Sequence, residues 1–155
     1  MIKLIECLDR QFAQLHLGSC ELVRTAPAEL LYRKPCGGSL GLDSFGEQIL
    51  RCAATVEQTF GGITANLWDD PFEWTLPETL STGEKIRAYL DEVEVTRAHG
   101  FELFKDEGDL GKRIMGPAGE IQLLPLMLDT LVRAVHYQGL ASATLEILRV
   151  QSSKD

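Results

Sequence analysis

The chain has 155 residues and a mass of 17.2 kDa, which suits a single domain over 1–155 and excludes a second of ordinary size. Hydrophobic residues make up 45% and charged residues 25%, a globular balance that excludes wholesale disorder and low-complexity architecture. The formal net charge of −8 is concentrated in residues 69–109, where 12 acidic residues face 4 basic ones. A stretch this acidic repels phosphate backbones, so no nucleic-acid partner is expected, and its plainest role is a solvated helix face.

The apolar residues recur at helical spacing. Ile5, Leu8, Phe12, Leu15 and Leu22 predict a first helix over residues 2–23, weakened locally by Gly18. Pro27 opens a turn from which Leu30, Leu31 and Tyr32 fold back onto the core. Ser44 with Glu47 three residues on is a capping box, and Phe45, Ile49, Cys52, Val56, Phe60, Ile63 and Leu67 form the stripe of a second helix. Gly61 and Gly62 are expected to loosen its late turns, and Asp69, Asp70 and Pro71 to end it.

A long connection follows, containing Pro71, Trp74 and Pro77. Ser81 and Glu84 form a second capping box, and Ile86, Leu90, Val93, Phe101 and Phe104 mark a third helix. Residues 106–119 form a loop with a small hairpin around Gly116-Pro117-Ala118-Gly119. The fourth helix starts near Leu123, with Pro125 in its first turn. Leu124, Leu128, Leu131 and Val135 are its expected inner stripe, leading to Gly139 and Ser142, whose small side chains would permit close helix approach, and then to Leu145 and Leu148. Four long amphipathic helices and little strand signal predict an all-α four-helix bundle.

No apolar run reaches the roughly 20 residues of a membrane span, and Glu6 and Asp9 interrupt any secretory core. A cytoplasmic location with reduced thiols is therefore expected, and no membrane partner. Cys7, Cys20, Cys36 and Cys52 form no C-x-x-C pair. Cys7 and Cys52 read as core fillers and Cys36, beside Gly37 and Gly38, as the accessible thiol. No G-x-S-x-G, P-loop, dinucleotide fingerprint or H-E-x-x-H is present. Gly37-Gly38-Ser39 with Gly41 reads as a flexible loop rather than a phosphate cradle.

Two stretches carry a resemblance. Ser44-Phe45-Gly46-Glu47-Gln48-Ile49-Leu50-Arg51-Cys52-Ala53 opens the second helix, and Arg133-Ala134-Val135-His136-Tyr137-Gln138-Gly139 lies in the fourth. Their order and spacing, with the long connection between helices two and three, resemble the DinB-like superfamily of bacterial four-helix bundles, which includes the YfiT-like proteins. The resemblance implies a bundle with a long crossover between helices two and three. It also implies a place for a divalent metal such as nickel or zinc: a histidine in helix two, seven residues after the capping Ser or Thr, and an H-x-x-x-H pair in helix four. Histidines at i and i+4 lie about 6 Å apart along one face, so both can reach one ion. Some members use that metal to activate the thiol of bacillithiol or mycothiol.

In this chain those ligand positions fall on Arg51, Arg133 and Tyr137. Arginine stays protonated and repels a cation, and tyrosine ligates mainly as phenolate, with an ordinary pKa near 10. His136 and Asp129 share a face but lie about 10.5 Å apart along the axis, too far for one ion, and Cys52 points about 100° away from the ligand position. His16 and His99 lie on other helices without a partner pattern and read as surface or capped histidines. No metal or other cofactor is expected, and no metal-dependent catalysis.

Three readings of the vestigial pocket follow. Glu47, Arg51, Asp129, Arg133 and Tyr137 satisfy one another in a polar network that replaces the metal as an inter-helix tie. Alternatively, the two arginines and the phenol hold the carboxylate or phosphate of a small anionic ligand, with His136 beside them. A third reading is an interaction module, with a homodimer anchored by Trp68, Phe72 and Trp74 at the acidic connection, where these rings would equally serve as a lid. The enzymatic alternative is a metal-dependent, thiol S-transferase-like activity with unconventional ligands.

Overall fold

A computed structural model describes residues 3–36 and 41–155. It contains four long helices, α1 (Leu4–Thr25), α2 (Phe45–Ala65), α3 (Gly83–Glu102) and α4 (Leu123–Ser152), with a two-stranded sheet of β1 (Arg113–Gly116) and β2 (Gly119–Gln122) between the last two. Helix α1 packs on α3 and α4, and α2 packs on the same two. The α1–α3 and α2–α4 seams therefore lie on opposite sides of the molecule. Among the described residues no helix is long and apolar enough to cross a membrane.

The core is built where the apolar stripes meet. Phe12 of α1 meets Phe60 of α2 edge-on, with ring centroids 5.1 Å apart, and Phe101 of α3 lies 5.5 Å from Phe60 and 5.9 Å from Phe12. All three rings are buried. Gly100 lets α3 come this close, since a Cβ there would sit 2.6 Å from a Phe60 ring carbon. On the other flank of α2 the hydroxyls of Thr59 and Thr130 lie 2.6 Å apart, both fully buried or nearly so, and Thr130 also donates to the Leu126 carbonyl at 2.8 Å. A hydroxyl carries one proton, so Thr59 donates to Thr130, which donates onward to Leu126. Arg97, also buried, is held between Asp9 of α1 and Glu94 of its own helix.

The boundaries follow local chemistry. Ser44 accepts the Glu47 backbone N–H, and the Glu47 carboxylate accepts the Ser44 backbone N–H at 2.9 Å, so the expected capping box is formed. Helix α2 stays regular through Gly61 and Gly62 and ends earlier than expected. Asn66 takes the left-handed conformation (φ 55°) that asparagine tolerates and stops the helix, leaving Leu67 outside it and exposed. The third helix is capped by Thr82, whose hydroxyl accepts the Lys85 N–H at 3.2 Å, rather than by Ser81 with Glu84. Both residues are competent caps, and the one that meets the first helical turn wins. The predicted hairpin forms, with Arg113 opposite Gln122 and Gly116 opposite Gly119. Gly119 adopts φ 124°, which favours glycine. Leu30 and Leu31 fold back onto the core, and the Tyr32 hydroxyl donates to the Leu80 carbonyl at 2.5 Å. Residues 37–39, read above as a flexible loop, lie outside the described residues.

Helix α4 corrects the expected inner stripe. Leu123, Met127, Thr130, Ala134, Ala141, Leu145 and Leu148 face the core, whereas Leu128 and Val135 are exposed. The first turns of α4 are apolar on nearly every side, so periodicity does not single out one face. Gly139 meets open space, not a neighbouring helix. Gly18 does permit an approach: a Cβ there would lie 3.0 Å from the Gln138 amide nitrogen, which donates to the Leu15 carbonyl and the Ser19 hydroxyl of α1.

Two outcomes are expected. Thr130→Val leaves the Thr59 proton buried without its acceptor and costs about 1–3 kcal/mol. Thr59→Val/Thr130→Val removes both polar groups and costs no more than Thr130→Val alone in urea unfolding. Simple addition of the two single effects would contradict the proton order assigned here. The second concerns Asp109, which is bonded by the Lys112 ammonium and by the backbone N–H groups of Lys105 and Asp106. These hold its carboxyl down to about 2. A lowered folded pKa means the contribution is complete above the ordinary value of 3.8 and is lost as pH falls towards 2. An NMR titration of Asp109 should find its midpoint near 2, and Asp109→Asn should remove that part of the acid dependence. A midpoint near 4 would show that the three bonds do not persist in solution.

Candidate functional site

Arg51, Ala54, Thr55 and Gln58 recur at helical spacing on one face of α2, and Arg133 and Tyr137 lie one turn apart on α4. The six residues line one recess of about 80 Å³, which Asp70 and Phe72 complete from the connection after α2. A 3-10 turn over Pro71–Glu73 sets those last two, with the Asp70 carboxylate accepting the Phe72 N–H at 3.0 Å. The Arg51 guanidinium carbon lies over the Phe72 ring, 4.0 Å from its centroid, a cation–π contact.

Each arginine has one carboxylate partner, bound through the same atom. Arg51 Nε donates to Asp43 at 3.2 Å, and Arg133 Nε donates to Asp129 at 2.9 Å. Among the described residues the terminal nitrogens of both guanidinium groups have no side-chain partner. The sequence-derived network is therefore only partly formed. Asp129–Arg133 is present as expected, but Arg51 takes Asp43 in place of Glu47. The Glu47 carboxylate is occupied by the Ser44 cap. Burial opposes its ionisation, yet the Ser44 backbone and hydroxyl bonds hold its carboxyl below the usual range. Tyr137 makes no side-chain hydrogen bond to any of these groups among the described residues. His136 is exposed and outside the recess lining, its ring centroid 5.7 Å from that of Tyr137.

The aromatic residues of the connection divide. Trp68 packs on α2 at Gly62, where a Cβ would lie 2.4 Å from its ring, and its Nε1 donates to the Asn66 side chain at 3.0 Å. Phe72 lies against Arg51. Trp74 is 55% exposed and lines a separate groove of about 310 Å³ with Glu57, Gly61, Thr64 and Leu67. Glu57 also accepts the Tyr89 hydroxyl at 2.5 Å, and burial, followed by this carboxylate, pushes the Tyr89 phenol up.

His16 is not solitary. Cys20, one turn on, places its sulfur 3.6 Å from His16 Nε2, and Asp91 of α3 places a carboxylate oxygen 3.3 Å from the same nitrogen. The signal was a single H-x-x-x-C spacing within α1, whose third member, Asp91, lies 71 positions further along the chain. Burial and then Asp91 push the Cys20 thiol up, which disfavours a free thiolate nucleophile. His99 is exposed beside Glu102, at 3.7 Å. Comparison of the chain with protein-family models, curated proteins and solved structures finds no match.

The thiols differ in access. Cys36 is exposed and Cys52 buried, with burial pushing the Cys52 thiol up to about 11, while Cys7 is only half-buried. Thiolate is the reactive form, so alkylation at neutral pH followed by peptide mass mapping should label Cys36 well before Cys52. Equal labelling rates in the folded protein would contradict this packing.

Proposed function

We propose that the chain is a divergent DinB-like bundle whose α2–α4 recess binds a small ligand through a carboxylate or phosphate group, without a metal at that place. The observation that carries the reading is the pair of guanidinium groups at the recess. Each is anchored through Nε to a carboxylate and keeps its terminal N–H groups for a further acceptor. Arginine forks suit planar bidentate recognition of carboxylate and phosphate. Tyr137 adds a hydroxyl that no side chain occupies among the described residues. Asp70, on the rim, offers an acceptor for a donor group on the same ligand.

The DinB-like component rests on the resemblance in α2 and α4 and on how the helices pair. Glu57 meets Tyr89, and Phe60 meets Phe101 further along both helices. These pairings run in the same direction, which supports a parallel α2–α3 pair joined by a connection that returns along the bundle. A helix of this length spans about 30 Å, and residues 66–82 extend to about 55 Å, so the reach suffices. Arg51 and Arg133 stand where the family's metal ligands would be and disfavour a divalent cation. This is why the anion reading is preferred to thiol transfer at the same place.

Thermal unfolding at low ionic strength with inorganic phosphate, acetate and citrate tests the proposal, each against chloride of matched ionic strength. A ligand at ten times its Kd stabilises by about 1.4 kcal/mol. The wild type should gain stability with at least one of the three, and Arg51→Gln/Arg133→Gln should abolish the gain. No anion-specific gain, or a gain that survives the double substitution, would overturn the reading.

A further inference from the structure

We propose that His16, Cys20 and Asp91 bind a zinc-like divalent transition-metal ion on the α1–α3 seam, on the opposite side of the bundle from the Arg51–Arg133 recess. The three donor atoms all lie within 4.8 Å of one another, and two of their separations match a tetrahedral site. With zinc–nitrogen and zinc–oxygen bonds of about 2.0–2.1 Å and a zinc–sulfur bond of about 2.3 Å, a tetrahedral angle puts nitrogen and sulfur about 3.6 Å apart. The same angle puts nitrogen and oxygen about 3.3 Å apart. The observed separations are 3.6 Å from His16 Nε2 to Cys20 Sγ and 3.3 Å from His16 Nε2 to Asp91 Oδ1.

Hydrogen bonding accounts for this cluster less well. A single ring nitrogen is approached by both a thiol and a carboxylate. A neutral imidazole nitrogen either donates a proton or accepts one. Nε2 can donate to Asp91 while Nδ1 takes the Cys20 thiol only at a long 3.9 Å, so hydrogen bonding holds the sulfur weakly. A cation shared by Nε2, the sulfur and the carboxylate satisfies all three groups at once, after the Cys20 side chain turns from beside the ring toward the Nε2 lone pair. The mixed nitrogen, sulfur and oxygen donors suit zinc and its neighbours better than magnesium or calcium.

The surroundings are consistent with a site that loads from solvent. The His16 side chain is 16% exposed and that of Asp91 70% exposed, so the imidazole is held by packing and the carboxylate stands in solvent. The donors line a shallow depression of about 500 Å³, which leaves the fourth position to water or a solute. Arg87 and Glu84 share its rim and offset each other in charge. Glu94, one turn beyond on α3, is already engaged by Arg97. Binding replaces the Cys20 thiol proton, which leaves to the buffer.

Cobalt(II) added to the reduced full-length Cys36→Ser protein is the probe, because that variant removes the exposed thiol without touching the cluster. A thiolate-to-cobalt charge-transfer band and strong visible bands of four-coordinate cobalt should saturate at one ion per chain, and zinc should displace them. Cys20→Ser should abolish the charge-transfer band. Losing even a hydrogen-bond partner of a ligand weakens metal binding by about 10–100-fold, so His16→Ala and Asp91→Asn should each weaken cobalt binding at least about tenfold. Arg51→Gln/Arg133→Gln should leave the titration unchanged, which separates this site from the recess. No charge-transfer band, a band that survives Cys20→Ser, or unaltered affinity in both His16→Ala and Asp91→Asn would overturn the proposal.

Discussion

Helix α2 is fixed on two flanks at one level, and the rest of the bundle depends on that fixation. Phe60 is clasped by Phe12 and Phe101, while its neighbour Thr59 is bonded to Thr130. Two consecutive residues thus tie α2 to all three other helices, one by apolar contact and one by a buried hydroxyl pair. Large buried rings supply most of the burial energy at such a junction. The hydroxyl pair adds direction, because an unsatisfied buried donor is costly. Gly100 is the permissive element, since any side chain there would push α3 off the Phe60 ring. Distances on both seams inherit this level: His16 is one turn from Phe12, and Gln58 of the recess adjoins Thr59.

The acidic stretch looks different once its partners are known. Glu94 holds the buried Arg97, Asp109 anchors the backbone entering the hairpin, and Asp70 caps the turn that carries Phe72. Asp91 faces His16. A solvated face describes many of the remaining acids, such as the exposed Glu84 and Glu92. The negative charge is therefore partly structural, and it is placed where it ties α3 and its flanking connections to the rest of the fold.

Much of the architecture was legible in the sequence. Apolar periodicity defined all four helices, the Ser44–Glu47 pair marked the start of α2, and the glycine-rich stretch marked the hairpin. Convergence of Arg51, Arg133 and Tyr137 was expected only from the resemblance, which set them at the family's ligand positions; helical phase alone puts Arg133 and Tyr137 on one face of α4 and says nothing of α2. Their partners were not legible. Asp43 lies before the α2 cap, so a rule for residues four apart on one helix selected Glu47, which the cap had already claimed. The inner face of α4 was misread because its first turns are apolar all round, and burial there is decided by α2 rather than by the α4 sequence. The His16 cluster was missed because its third member comes from another helix, and a spacing rule reports only what one helix carries.

The seating of Trp68 at Gly62 has an optical consequence. The two tryptophans of the chain occupy unlike surroundings, one packed on α2 and the other, Trp74, largely in water. Their emission should differ in colour and in susceptibility to a soluble quencher. The connection between α2 and α3 thus carries two native chromophores six positions apart, one reporting its attachment to the bundle and the other the solvent around it. Departure of this segment from α2 would shift the Trp68 signal more than that of Trp74, which is already 55% exposed, so its movement can be followed without any added label.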